Sequence, residues 1–309
     1  MHPAYSVILF TTASGAGYGL LALLGLVGFN HGLASSMAFA LAAVFIALAL
    51  ITIGLLSSTF HLGHPERAWR ALSQWRSSWL SREGVAAVAT YVPALGFGLV
   101  WSGLADAPRW IGPLGLLTAG LCAVTVYTTA MIYASLKTIR AWHQPLTAPV
   151  YMAFGLATGS ALMTAIATVF GRFQNFQVIF TIAALLLVAL LKFCYWKAVD
   201  AAPRTHTMEN ATGLGRIGQV SQWEVPHTAE NYIQKEMGYA VARKHAARLR
   251  NLVFVLLALA IVLMLLSLAS PVISFPAAVA ALAAAVVERW LFFAEAQHVV
   301  TLFYGASTA

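Results

Sequence analysis

The sequence predicts an all-α integral membrane protein: a bundle of eight transmembrane helices with a short interfacial helix and one long cytoplasmic loop. Three observations carry this. The 309 residues are 60% hydrophobic and only 9% charged, where soluble domains carry roughly 25% charged residues. Eight apolar runs approach or exceed the ~20 residues that cross a bilayer. Of the 18 Lys and Arg, 15 fall on one face when the runs alternate in direction, counting Lys192 and Lys197 as snorkelling toward it. Positive charge marks the cytoplasmic side, so both termini are expected inside. The same distribution argues against nucleic acid as the partner of the net charge of +8.

The first run, Val7–Phe29, follows an N-terminus without a basic segment and is expected to be a retained helix. Its Ser14–Gly19 stretch looks like a nucleotide-binding loop, but no strand precedes it. Gly15 and Gly19 are four apart, the spacing for close helix approach. Met37–His61 is the second run. The segment 62–83 follows, dense in His, Arg, Glu and Trp. Trp69, Leu72, Trp75 and Trp79 recur at steps of three and four, which predicts an amphipathic helix with its indoles at headgroup depth. Further runs are Gly84–Leu104, Ile111–Ile139, Val150–Phe170 and Val178–Ala198. The segment 199–251 is the one long polar stretch. It is too short for its own core and too mixed for low complexity, so it is expected to dock a cytoplasmic partner. Leu252–Leu268 and Val272–Phe303 complete the count. The whole sequence, 1–309, reads as a single polytopic domain.

The last run holds Glu288, Arg289 and Glu295, with His298 three residues on. Charges at this depth face protein or water. Arg289 is expected to find a carboxylate or carbonyls on another helix. Structural ion pairing and a water-filled proton path both fit.

His61 ends the second run and Glu83 precedes the third, so both reach the same depth on the cytoplasmic side. An imidazole and a carboxyl there suit a quinone headgroup, which needs hydrogen-bond partners and takes up two protons with two electrons. Haem b is the competing cofactor, with His61 and His298 as its only plausible axial pair. The two cysteines, Cys122 and Cys194, form no CxxC, so no iron–sulfur cluster, molybdenum or other metal site is expected in this protein. A secondary transporter and a purely structural anchor are the rival classes. The transporter would need inverted repeats, which the sequence lacks.

His61-Leu62-Gly63-His64-Pro65-Glu66-Arg67-Ala68, then Ser81-Arg82-Glu83, and Glu288–Phe293 near the end resemble the membrane anchor subunits of dimethyl sulfoxide reductase-type molybdenum enzymes. The wording at 64–84 and 226–250 is most similar to anchors of the cytoplasmic sulfite-oxidising branch. The resemblance implies a complex of the bacterial inner membrane. In it, a molybdopterin catalytic subunit feeds a ferredoxin-like subunit with four iron–sulfur clusters, and the anchor exchanges electrons with ubiquinone or menaquinone. It places quinone chemistry at His61 and Glu83. His64 and Arg67 are the candidate neighbours, with Arg67 pairing to Glu66, Glu83 or lipid phosphate.

Overall fold

The computed structural model describes residues 3–32, 34, 36–60, 62–203, 206–224, 231, 241–304 and 306. The fold is all-α and membrane-spanning, with eight helices long and apolar enough to cross among these residues: α1 (Tyr5–His31), α2 (Met37–Thr59), α3 (Trp79–Trp101), α4 (Pro108–Ala134), α5 (Thr147–Val169), α6 (Asn175–Ala201), α7 (His245–Leu266) and α8 (Pro271–Ala294).

Contacts between helix ends fix the alternation. On one face the Ser57 hydroxyl at the end of α2 donates to the Ser6 carbonyl at the start of α1. There Arg250 at the start of α7 pairs with Asp200 at the end of α6. The Val299 amide after α8 donates to the Thr138 carbonyl after α4. On the other face Phe39 at the start of α2 packs edge-on against Trp101 and Phe170, which lie at the ends of α3 and α5. The Thr168 and Ser274 hydroxyls join the end of α5 to the start of α8 at 3.0 Å. The first of these is the basic face.

α1 is the axis, with 72% of its most apolar stretch buried, against 22% for α7 at the rim. Glycine allows this. A Cβ on Gly19 would collide with the Gly155 carbonyl oxygen of α5, and one on Gly25 with that of Gly115 in α4. Backbones this close exclude any side chain, the packing mode of membrane helices that lack a hydrophobic drive between them. Gly15 faces open space itself, but its carbonyl receives Gly155.

Several run limits differ from those read off the sequence. The third helix starts at Trp79, so Ser81, Arg82 and Glu83 lie inside it. Loop groups absorb its polar start: Ser81 donates to the Ala71 carbonyl, and Arg82 reaches the carbonyls of Trp75 and Arg76 while stacking on Trp79. The fourth helix stops at Ala134, leaving Lys137 in a loop. The last stops at Ala294, so Glu295 and His298 stand beyond it, because charged and polar groups there find partners at the basic face. The expected interfacial α-helix is a 3₁₀ helix, Pro65–Gln74. Three residues per turn set Trp69 and Leu72 in line, which an α-helix would fan apart. The turn packs on the first turns of α3, with Leu72 against Gly84.

Of the long polar segment, 225–230 and 232–240 lie outside the described residues. Its described part meets the C-terminal tail, where the Gln222 side-chain amide donates to the Phe303 carbonyl and that of Asn231 to the Tyr304 hydroxyl.

Gly19→Ala is expected to destabilise the bundle by about 1–3 kcal/mol through overpacking, seen as a lower thermal midpoint in detergent, while Gly15→Ala leaves the midpoint unchanged.

Candidate functional site

Glu83 lies more than a turn inside α3 and is 5% exposed. The Thr129 hydroxyl of α4 donates to its Oε1 at 2.5 Å. The same hydroxyl lies 3.0 Å from the Thr125 carbonyl. No contact joins Glu83 to Arg67 among the described residues. Arg67 instead sits 3.7 Å from Glu66, whose Oε1 also meets His64 Nδ1 at 3.0 Å. This trio is exposed, and Arg67 and His64 form a surface cluster apart from the buried carboxyl. His61 lies outside the described residues.

Thr129 also lines a cavity of about 20 Å³ in the bundle interior. Its other walls include Tyr18 of α1, Tyr151 of α5 and Arg289 of α8. A π-helical turn, Phe10–Ser14, brings Thr11, Thr12 and Ser14 to it. The π turn sits where α2 presses in: a Cβ on Gly54 would lie 2.8 Å from the Ser14 nitrogen. Such turns inside α-helices are frequent at functional sites.

Arg289 finds its carboxylate on its own helix, not on another. Its Nη2 lies 3.2 Å from Glu288 Oε2, and its guanidinium carbon lies 3.5 Å from the centre of the Tyr151 ring. Glu288 Oε1 accepts from Lys192 Nζ of α6 at 2.7 Å. All three charged side chains are within 3% of full burial. Lys192 therefore does not snorkel. It rests 3.9 Å from the centre of the Tyr195 ring and 4.2 Å from that of Trp196. The ion pair and the two aromatic faces hold an ammonium that would otherwise have to stretch toward water.

Aromatic rings close the cluster off on the basic side. Trp142 Nε1 donates to the Phe292 carbonyl at 2.7 Å, and its ring stacks on Phe292. Tyr133 packs against Trp142, Tyr151, Phe292 and Phe293. The loop that carries Trp142 is pinned by Tyr195, which donates to the Ala141 carbonyl, and by Arg140, which donates to that of Ala202.

Glu295 belongs to a separate clamp. Arg250 binds Glu295 at 2.8 Å and Asp200 at 2.7 Å, tying α6, α7 and the end of α8 together. His298 accepts the Val300 amide on Nδ1 at 3.0 Å, and partial burial holds its pKa below the ordinary imidazole value. Among the described residues no group of three or more His, Cys, Asp or Glu is placed to hold a metal ion.

The family model described as DMSO reductase anchor subunit (DmsC) matches residues 1–306. This chain belongs to that family of membrane anchor subunits. It is 32% identical to a sulfite dehydrogenase subunit of Allochromatium vinosum, over 98% of this sequence and 99% of that protein. It is 28% identical to an anaerobic dimethyl sulfoxide reductase chain of Haemophilus influenzae, over 46% of this sequence and 50% of that one. For the anaerobic dimethyl sulfoxide reductase chain YnfH of Escherichia coli the figures are 28%, 40% and 43%. Relatives named as parts of larger enzymes imply that this anchor has partner subunits.

In this anchor, sequence reading missed Thr129, Tyr18, Tyr151 and Trp142, and misassigned Lys192. The run Thr125–Thr129 holds three threonines within an apolar span, a visible signal for Thr129. Lys192 and Glu288 were visible as opposite charges inside spans. Tyr18 and Tyr151 in membrane runs and Trp142 in a loop carry no signal of their own.

Glu288→Gln leaves two buried cations facing each other, whereas Lys192→Met leaves a neutral Glu288–Arg289 pair. The first is expected to cost about 3–5 kcal/mol and the second distinctly less, compared as thermal midpoints of the purified protein in detergent.

Proposed function

We propose that this protein is the quinone-reactive anchor of a sulfite-oxidising molybdenum complex in the bacterial cytoplasmic membrane. The observation that carries the reading is Glu83: a buried carboxyl near the basic face, hydrogen-bonded to Thr129, in a position that follows His61 by one loop. Similarity along the whole sequence to a protein named as a sulfite dehydrogenase subunit supports the branch.

The basic face is the cytoplasmic face in this reading, since Lys and Arg concentrate there. A ferredoxin-like subunit with four iron–sulfur clusters docks on it over Pro65–Gln74 and the long polar segment, with the molybdopterin subunit beyond. Trp69 and Trp75 are more than half exposed there, each with an arginine against its ring, a surface suited to a protein or to lipid phosphate.

The substrate is ubiquinone or menaquinone. Two electrons from the docked subunit and two protons from the cytoplasmic side convert it to quinol. Glu83 gives or takes a proton at one quinone oxygen, and His61 hydrogen-bonds the other. Thr129 holds the carboxyl in place. His64 and Arg67 stand at the surface with Glu66 and serve the docking edge.

A second reading reverses the electron flow: quinol oxidation in an S-oxide or N-oxide reductase, favoured by the partial matches to the two dimethyl sulfoxide reductase chains.

In membranes holding the whole complex, sulfite-driven quinone reduction is expected to vanish in His61→Ala and in Glu83→Gln. The soluble subunits should remain bound and still oxidise sulfite with an artificial acceptor. Normal quinone reduction in both variants would place the site elsewhere. An intact complex that ignores sulfite but oxidises quinol with an S-oxide would select the second reading.

A further inference from the structure

The interior cavity beside Thr129 is lined by polar atoms whose hydrogen-bonding capacity the protein does not fill. Tyr18 Oη, Tyr151 Oη and Arg289 Nη1 are fully buried and make no well-aligned hydrogen bond in the protein; Arg289 and Tyr151 meet each other, the guanidinium lying over the phenol ring. Their residues are 2%, 4% and 3% exposed, and all three border the same cavity. Leaving such donors unpaired away from water forfeits their hydration without return, and the penalty is larger for a charged group. Thr11, Thr12 and Ser14 also line it. Each spends its hydroxyl proton on a backbone carbonyl one turn back, so each presents lone pairs to the cavity. The space therefore has both donors and acceptors in its lining and a volume of about 20 Å³. A cavity needs ~10–15 Å³ to hold one water, and a buried water makes two to four hydrogen bonds. A quinone ring does not fit, and neither does an acyl tail.

Thr129 both lines this cavity and holds Glu83. Its one hydroxyl proton has two acceptors in reach, Glu83 Oε1 at 2.5 Å and the Thr125 carbonyl at 3.0 Å. With Glu83 ionised, the hydroxyl donates to the carboxylate. With Glu83 protonated, the carboxyl donates to Thr129 Oγ1, and the Thr129 proton turns to the Thr125 carbonyl. Neither state requires backbone movement.

We propose that the cavity binds a single water molecule, held by Arg289 and Tyr151, and that Thr129 links this water to Glu83 as the positioning residue that serves both protonation states of the carboxyl. The statement about Glu83 rests on the quinone reading; the water site does not. Arg289 acts here as a fixed donor, and the series Glu83–Thr129–water–Arg289 joins the quinone-side carboxyl to the buried ion cluster.

The test uses the whole complex, as wild type, Thr129→Val, Thr129→Ser, Tyr151→Phe and Glu83→Gln. A map of the wild-type complex that resolves waters is expected to show a peak within hydrogen-bond distance of Arg289 Nη1 and Tyr151 Oη. That peak should weaken or disappear in Tyr151→Phe. Thr129→Val is expected to lower kcat for quinone turnover about tenfold with the quinone KM unchanged, as misplacement of a reacting group does, and Thr129→Ser to restore it. An empty cavity in such a map overturns the water site. Wild-type kcat in Thr129→Val beside an inactive Glu83→Gln overturns the Thr129 link. Full activity in Glu83→Gln overturns the quinone reading, and the map still decides the water.

Discussion

Inside a bilayer a charged side chain has only protein to answer it, and the meeting of α6 and α8 follows from that constraint. Glu288 stands between Lys192 and Arg289 and touches both. Two cations around one carboxylate leave a formal positive excess in a low-dielectric interior, where isolated charges are costly. Aromatic faces take up part of this demand. Tyr195 and Trp196 lie against the ammonium, and Tyr151 lies against the guanidinium. The cluster thus draws α5, α6 and α8 into one unit and seats it beneath the Trp142–Phe292 stack.

The second constraint is how closely the backbones approach. Without a hydrophobic drive between helices, contact comes from small residues and from hydrogen bonds. The glycines of α1, α4 and α5 supply the first, and threonines supply much of the second. Pairs such as Thr90–Thr125 and Thr164–Thr181 bridge neighbouring helices at 3.3 Å. Tight packing around α1 also leaves a defined polar gap where its π turn, Tyr151 and Arg289 converge. Thr129 lines this gap and holds Glu83 by its hydroxyl. The buried carboxyl and the buried ion cluster are therefore neighbours in one polar interior, although they arise far apart in the sequence.

The basic face is organised differently. Its loops are fastened by backbone acceptors: Arg82 on Trp75 and Arg76, Arg140 on Ala202, Tyr195 on Ala141. Arg250 gathers the ends of α6, α7 and α8. These contacts hold the arginine- and tryptophan-rich turn and its neighbours in fixed positions, while the outer flanks of the helices present exposed Leu, Val and Phe.

The sequence by itself determined the class, the number of spans and their alternation, because apolar length and the distribution of Lys and Arg are properties of composition along the polypeptide. It also marked Glu83, Glu288 and Arg289, since a charge in or beside an apolar run is visible without coordinates. Helix ends shifted where polar groups found partners: loop carbonyls took up Ser81 and Arg82 and brought Glu83 inside α3, while Arg250 and the Val300 amide hold Glu295 and His298 beyond α8. Partners were decided only by tertiary structure. That Lys192 turns inward to Glu288, that Arg289 rests on Tyr151 and that Thr129 holds Glu83 depend on how helices rotate about their axes. Helix rotation is set by glycine contacts and the summed demand of buried polar groups across the bundle, and no single segment holds that information.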